Sequence, residues 1–157
     1  MIDETTFRGT LGSFPSGVTI VTAVGPQGNC GMTVSAFCSL SLSPPLVLMC
    51  IDHAARMYDA LAGASHFAVN VLRASQETLA RTFSEPGKER FEDVQFRRGA
   101  SGAPVLTNPL ALLECRKQAA FPGGDHTIFT GVVEHASFST GEPLVYFRGQ
   151  YSFMADA

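Results

Sequence analysis

Residues 9–51 contain no Asp, Glu, Lys or Arg, whereas more than half of the chain's charged residues fall between Asp52 and Arg98. An uncharged block of that length suggests either a membrane segment or buried structure. Gly, Pro and Ser interrupt it too often for the roughly 20 apolar residues of a spanning helix, and its apolar positions recur with a period near two. A buried sheet is therefore expected. The chain also lacks basic excess, with a formal net charge of −3 and a pI near 5.7, so it has no electrostatic footprint for nucleic acid. No apolar core follows the acidic start MIDETTFRGTLGSF, so no secretory signal is read there and a cytoplasmic location is expected.

Other absences narrow the chemistry. Cys30, Cys38, Cys50 and Cys115 form no CxxC pair and have no His at zinc-ligand spacing, so no metal is expected and four buried thiols are the reading. Neither GxGxxG after a strand nor GxxxxGK[ST] occurs, which removes both standard phosphate loops. A hydrolase triad lacks its GxSxG elbow. No low-complexity tract or internal repeat is present, and 157 residues suit a single domain over 1–157 with a sizeable core.

What is present reads mainly as strands. Asp3 followed by Phe7 and Leu11 predicts a short helix ended by Gly12 and Pro15. GVTIVTAV (17–24) is a strand, and Gly25-Pro-Gln-Gly-Asn is a turn. LVLMCI (46–51) suits a strand buried on both faces. Residues 54–61 have helical composition and HFAVNVL (66–72) returns to strand. SQETLARTF is a second amphipathic helix with Glu77 and Arg81 four apart. A charged connection over 85–105 leads to three long strands, LALLECRKQAAF, HTIFTGVVEHASF and LVYFRGQYSFM. Six or seven consecutive strands against three short helices predict a closed or nearly closed antiparallel barrel with peripheral helices.

Within GMTVSAFCSLSLSPPLVLMCID (31–52), Thr33, Ser35, Ser39, Ser41 and Ser43 share one parity and no charge accompanies them. Such a ladder donates and accepts, so it suits a sugar, a nucleotide or a flavin; a Ser/Thr-rich solvent face fits the spacing equally. Phe37 breaks the series, consistent with a bulge or turn there. Asp125-His126 sits at a turn-to-strand junction, where the acid can fix a His tautomer. Arg148-Gly-Gln-Tyr151 places a cation and a phenol on one strand edge.

Taken together and in order, FPSGVTIVTA (14–23), GMTVSAFCSLSLSPPLVLMCI (31–51), FAVNVL (67–72), GDHTIFTGVV (124–133) and PLVYFRGQY (143–151) resemble the short-chain flavin reductases, the reductase components of two-component flavin-dependent monooxygenases. The resemblance covers nearly the whole chain. It implies a flavin-binding split β-barrel acting as a homodimer, with FMN or FAD near the dimer interface. NADH or NADPH would pass hydride to the flavin, and a separate monooxygenase would receive the reduced flavin. Carried over by motif, Thr33, Val34, Ser35 and Ala36 line the isoalloxazine and ribityl, and Ser39 and Leu40 the ribityl and phosphate. Ala54, Ala55 and Arg56 approach the phosphate, and Thr82 and Phe83 complete the pocket. His126, assigned to catalysis, lies with Arg148 and Tyr151 on the nicotinamide side. Relatives often carry more than one basic residue in the phosphate loop, and Arg56 is the one this chain offers, so FMN against FAD stays open. A non-catalytic flavin carrier and a barrel for another phosphorylated ring are the competing expectations.

Overall fold

The computed structural model describes residues 1–85 and 91–154. Residues 86–90 of the charged connection lie outside the described residues.

Helix α1 (Glu4–Gly12) starts where Asp3 accepts hydrogen bonds from the Thr6 amide (2.9 Å) and hydroxyl (2.8 Å). Those bonds hold the Asp3 carboxyl below its usual range. The short strand β1 (Ser16–Gly17) leads into β2 (Thr19–Gly25), β3 (Gly28–Val34), β4 (Phe37–Leu42) and β5 (Pro45–Asp52). Helix α2 (Tyr58–Gly63), β6 (His66–Val71) and helix α3 (Glu77–Ser84) follow, then the short strands β7 (Phe96–Arg98) and β8 (Pro104–Leu106). The long hairpin β9 (Ala111–Gly123) and β10 (His126–Phe138) precedes a small one, β11 (Leu144–Phe147) and β12 (Gln150–Phe153).

Seven strands form one antiparallel sheet in the order β3-β2-β6-β9-β10-β5-β4. Its two outer strands, β3 and β4, are consecutive in the chain, with only Ser35 and Ala36 between them. That link spans at most about 10 Å, roughly two strand spacings, so the sheet has to curl until its edges meet. No ladder joins β3 to β4. The result is the expected split barrel, and the split lies at Ser35-Ala36.

Val21, Ala23, Val47, Met49, Ile51, Phe67, Val69 and Phe129 fill the barrel. The opposite face of β2 is buried too: Val18 and Ile20 pack with Ala80, Phe83, Leu106 and Leu144 beneath α3. Close approach there depends on Gly31, since a Cβ at that position would come within 2.8 Å of Phe83 Cε1. Buried Asn70 ties β8 to the barrel, donating to Ile20 O (3.0 Å) and accepting from the Leu106 amide (2.9 Å). Among the described residues, no helix is long and apolar enough to cross a membrane.

Four expectations need correction. LVLMCI is buried on one face only: Val47, Met49 and Ile51 point inward, while Leu46, Leu48 and Cys50 are half-buried, the last two facing α1 only across an open cavity. Of the thiols, Cys115 is buried, Cys30 and Cys50 are partly so, and Cys38 is exposed. LVYFRGQYSFM is two strands, since Arg148 (φ 48°) and Gly149 (φ 78°) turn the chain back between Phe147 and Gln150. Arg148 is therefore at a hairpin tip rather than along a strand edge. The hydroxyl ladder also fails as one face. Thr33 pairs with Ile20 on the outer, α3 side, whereas Ser39 pairs with Val47, whose side chain faces the interior, and a bulge between Ser39 and Ser41 shifts the phase again.

Candidate active site

The split in the barrel opens two adjoining cavities that share Ser35, Tyr146 and Gly149. The larger, ≈ 1050 Å³, lies between α1 and the outer face of β4 and β5. Phe7, Leu11 and Phe14 wall it on one side, Ala36, Cys38 and Cys50 on the other, and Arg148 closes its rim. It has two arginines, Arg8 and Arg148, and no carboxylate in its lining. The smaller cavity, ≈ 660 Å³, is formed by Thr33, Arg81, Ser84, Gln150 and Tyr151.

Local chemistry fixes these walls. The Thr33 hydroxyl donates to Ala80 O at 2.6 Å, tethering β3 to α3. The Cys50 amide donates to Ala36 O (3.0 Å) and holds the link against β5. Arg81 is anchored to Glu77 (Nε to Oε1 2.9 Å) and lies 5.0 Å over the Tyr151 ring, which in turn sits 5.6 Å from Tyr146. Burial raises the Tyr151 phenol above its ordinary value, so the hydroxyl stays neutral and can donate.

A second cluster lies on the same outer surface. Register places Ile128 opposite Cys50 and His126 opposite Asp52, and residues two apart on a strand share a face about 6.6 Å on. The outer surface is thus continuous from Cys38 through Cys50 to His126. His126 Nδ1 is 2.6 Å from Asp125 Oδ1, and that bond holds the Asp125 carboxyl below its usual range. The His53 amide donates to Asp125 O (3.0 Å), and the Ala54 amide to Asp52 Oδ1 (2.8 Å), so the loop 53–56 is fastened to the His126 turn.

The structure brings Thr33, Ser35, Ala36, Arg148 and Tyr151 together around the split, whereas His126, opposite Asp52 on the same outer surface, and Ala54 and Ala55 in the loop after β5 line neither cavity. Val34 points into the core at 4% exposure and presents only its main chain. Phe83 is fully buried on the inner face of α3. Thr82 spends its hydroxyl on Thr78 O (3.0 Å). Ser39 and Leu40 are exposed on β4, outside the lining of either cavity. Arg56 lines a separate ≈ 730 Å³ cavity beneath the β2–β3 turn with Asp59, Phe91 and Phe96. Sequence reasoning missed Tyr146, Arg81, Cys38 and Cys50 as lining residues. For Arg81 the i,i+4 pairing with Glu77 was the visible signal, and it pointed to a helix surface rather than a cavity.

The chain matches the flavin reductase like domain over residues 11–155. FMN reductase (NADH) SmoA of Agrobacterium fabrum is 43% identical over 145 residues, covering 92% of this chain and 83% of that protein. The reductase component of the 4-nitrophenol 4-monooxygenase/4-nitrocatechol 2-monooxygenase of Rhodococcus opacus is 41% identical over 96% of this chain and 80% of its own length. The structure of the NADH:FAD oxidoreductase SgcE6 of Streptomyces globisporus superposes with a TM-score of 0.93 at 41% identity, covering 100% of this chain and 98% of that one. SgcE6 has also been solved in complex with NAD and FAD fragments. This chain belongs to the flavin reductase-like family.

Proposed function

We propose that the chain is an NADH-dependent flavin reductase that reduces FMN or FAD and delivers reduced flavin to a separate monooxygenase component. The observation that carries the reading is the split itself: a cavity with Arg148 at its rim, and with Arg8 held in its ion pair to Glu4, opens onto the uncharged Ser35-Ala36 link. A planar, anionic ligand with ring carbonyls and nitrogens suits that lining, and ≈ 1050 Å³ is ample for it. The names of the relatives support NADH as donor and a monooxygenase as recipient.

Flavin and nicotinamide supply the hydride chemistry, so the protein contributes placement and electrostatics. Thr33, Ser35 and Ala36 would hold the flavin ring, with main-chain groups of Val34 contributing. Ser39, Leu40, Ala54, Ala55 and Arg56 line neither cavity of the split, so they would reach the ribityl chain and phosphate only where the ligand extends beyond it. Thr82 and Phe83 would act from beneath, by supporting the wall at Thr33. Arg148 and Tyr151 would orient the nicotinamide. Asp125 would keep the His126 ring in one orientation toward it.

The reading also takes the chain as one functional unit, paired as a homodimer in the cytoplasm. Pairing is supported by apolar surface that the single chain leaves open. Phe14 is 77% and Leu42 96% exposed, and Leu46, Leu48 and Ile128 are half-buried on the same side of the barrel. The test is steady-state oxidation of NADH and NADPH with FMN and FAD in excess. Flavin-dependent oxidation of NADH is expected. Flavin binding without oxidation of either nicotinamide would leave a carrier instead of a reductase.

A further inference from the structure

We infer that α1 is a lid: it pivots at Gly12 and, when flavin occupies the cavity at the split, seats Phe7 and Leu11 on the ligand's ring. The inference rests on the flavin reductase reading of that cavity and adds a moving element to it.

A helix of nine residues is too short to hold itself together in water, where about 12–15 are needed even for good helix formers. In a protein such a helix borrows stability from an apolar face packed on something else, yet α1 has no buried residue. Phe7 and Leu11, four apart and so on one face, are 53% and 54% exposed. That face does not look out into open water. Both side chains wall the ≈ 1050 Å³ cavity, with Ala36, Cys38, Leu48 and Cys50 among the residues lining it from β4 and β5. The apolar partner that α1 lacks within the chain is therefore supplied by a ligand bound between the two walls.

The attachment of α1 is that of a hinged element. Among the described residues, the side-chain hydrogen bonds of the helix stay within it and its caps: Asp3 with Thr6, Glu4 with Arg8, Thr6 with Thr10 and Gly9 with Ser13. The first bond to another element comes at Gly12, whose carbonyl accepts from the Arg148 amide (2.9 Å), and β1 then pairs Ser16 with Tyr146. One end of α1 is thus pinned to the hairpin tip at the cavity rim, and the rest is held by little, as in the low-stability segments from which lids are drawn. Charge does not drive the closure, because Arg8 is already engaged by Glu4 at 2.7 Å. Apolar contact with the ring does. A lid of this kind shields hydride transfer from water when shut and frees the ring when it lifts, which suits a flavin reduced here and used elsewhere.

Hydrogen–deuterium exchange of the full chain, read by mass spectrometry on peptides covering α1, tests the closure without relying on turnover. With saturating FMN we expect the α1 amides to exchange at least about tenfold more slowly, at a rate independent of protein concentration. F7A combined with L11A should abolish that protection and speed FMN release about tenfold or more, the scale of covering two half-exposed apolar side chains. Its melting temperature without flavin should match wild type, since neither side chain is buried. Unchanged exchange on saturation with FMN overturns the lid. So does slow exchange in flavin-free protein that slows further as protein concentration rises, because a second copy would then be covering the helix. If wild-type protein fails to bind FMN in a fluorescence titration, the flavin reductase reading itself fails, a result distinct from both.

Discussion

Phe83 is the sharpest place to separate support of the site from contact with ligand. Its side chain has no exposed surface, packs edge-to-face on Phe91 at 5.3 Å, and sits against Gly31, where an added Cβ would lie 2.8 Å from its Cε1. Truncation of a fully buried Phe to Ala costs about 3–5 kcal/mol through lost transfer energy and residual cavity. At roughly 2–4 °C per kcal/mol for a chain of this size, F83A should melt about 6–20 °C lower. G31A overpacks the same spot and should cost about 1–3 kcal/mol in the wild-type background. In F83A the obstructing ring is gone and only Thr22 Cγ2, 3.3 Å away, resists the new methyl. The second substitution should then cost much less than the first cycle arm predicts. Urea unfolding of the four proteins, with flavin titrated at a temperature where all are folded, measures both quantities. The reasoning is refuted if F83A unfolds like wild type while losing flavin, or if G31A costs the same with and without the ring.

Other outcomes follow from the same geometry. H126A should raise the apparent KM for NADH about tenfold or more, on the scale of one lost charge-assisted contact, while flavin affinity holds; the reverse pattern would move His126 to the flavin side. Burial, with smaller contributions from Glu134 and Glu114, pushes the Cys115 thiol from 9.0 up to about 12. Between those values the unfolded chain has lost a proton that the folded chain keeps. Stability should accordingly fall with rising pH by at most about 1.4 kcal/mol per pH unit, and unfolding curves of C115A should lack that leg. N70A strands the buried Leu106 amide, while the Ile20 carbonyl keeps the ladder bond of its register partner, and should cost about 1–3 kcal/mol in urea unfolding; a loss under about 0.5 kcal/mol would mean that water replaces the side chain.

Long, punctuated elements were legible in the sequence. HTIFTGVVEHASF coincides with β10 because Gly123-Gly124-Asp125 marks its start and its apolar positions recur along one face. The Asp3 cap and the Asp125–His126 pairing were equally visible, since each depends on residues close in sequence. What stayed hidden depends on backbone geometry or on distant packing. The hairpin at Arg148-Gly149 needs two positive φ values, and Arg is not a residue that announces one. Phe37 hinted at an interruption, but the turn falls two residues earlier and the bulge two or more later, which puts Thr33 and Ser39 on opposite faces. Arg56 was placed by its loop, yet it lines a cavity made by the β2–β3 turn and Phe91, which no local pattern connects to it. The half-buried outside of β5 looks apolar in sequence for the same reason a core does, and only the structure shows that α1 faces it across an open cavity instead of packing on it.

The central claim is that NADH reduces flavin at the Ser35-Ala36 split. Anaerobic rapid mixing of NADH with protein and FMN, followed by bleaching of the flavin absorbance, tests it most directly when wild type is set beside A36F, whose ring would crowd the cavity at the link while its backbone still accepts from Cys50. Fast bleaching is expected in wild type and a return to the uncatalysed rate in A36F, with the melting temperature retained. Equal bleaching rates in the two proteins would contradict it.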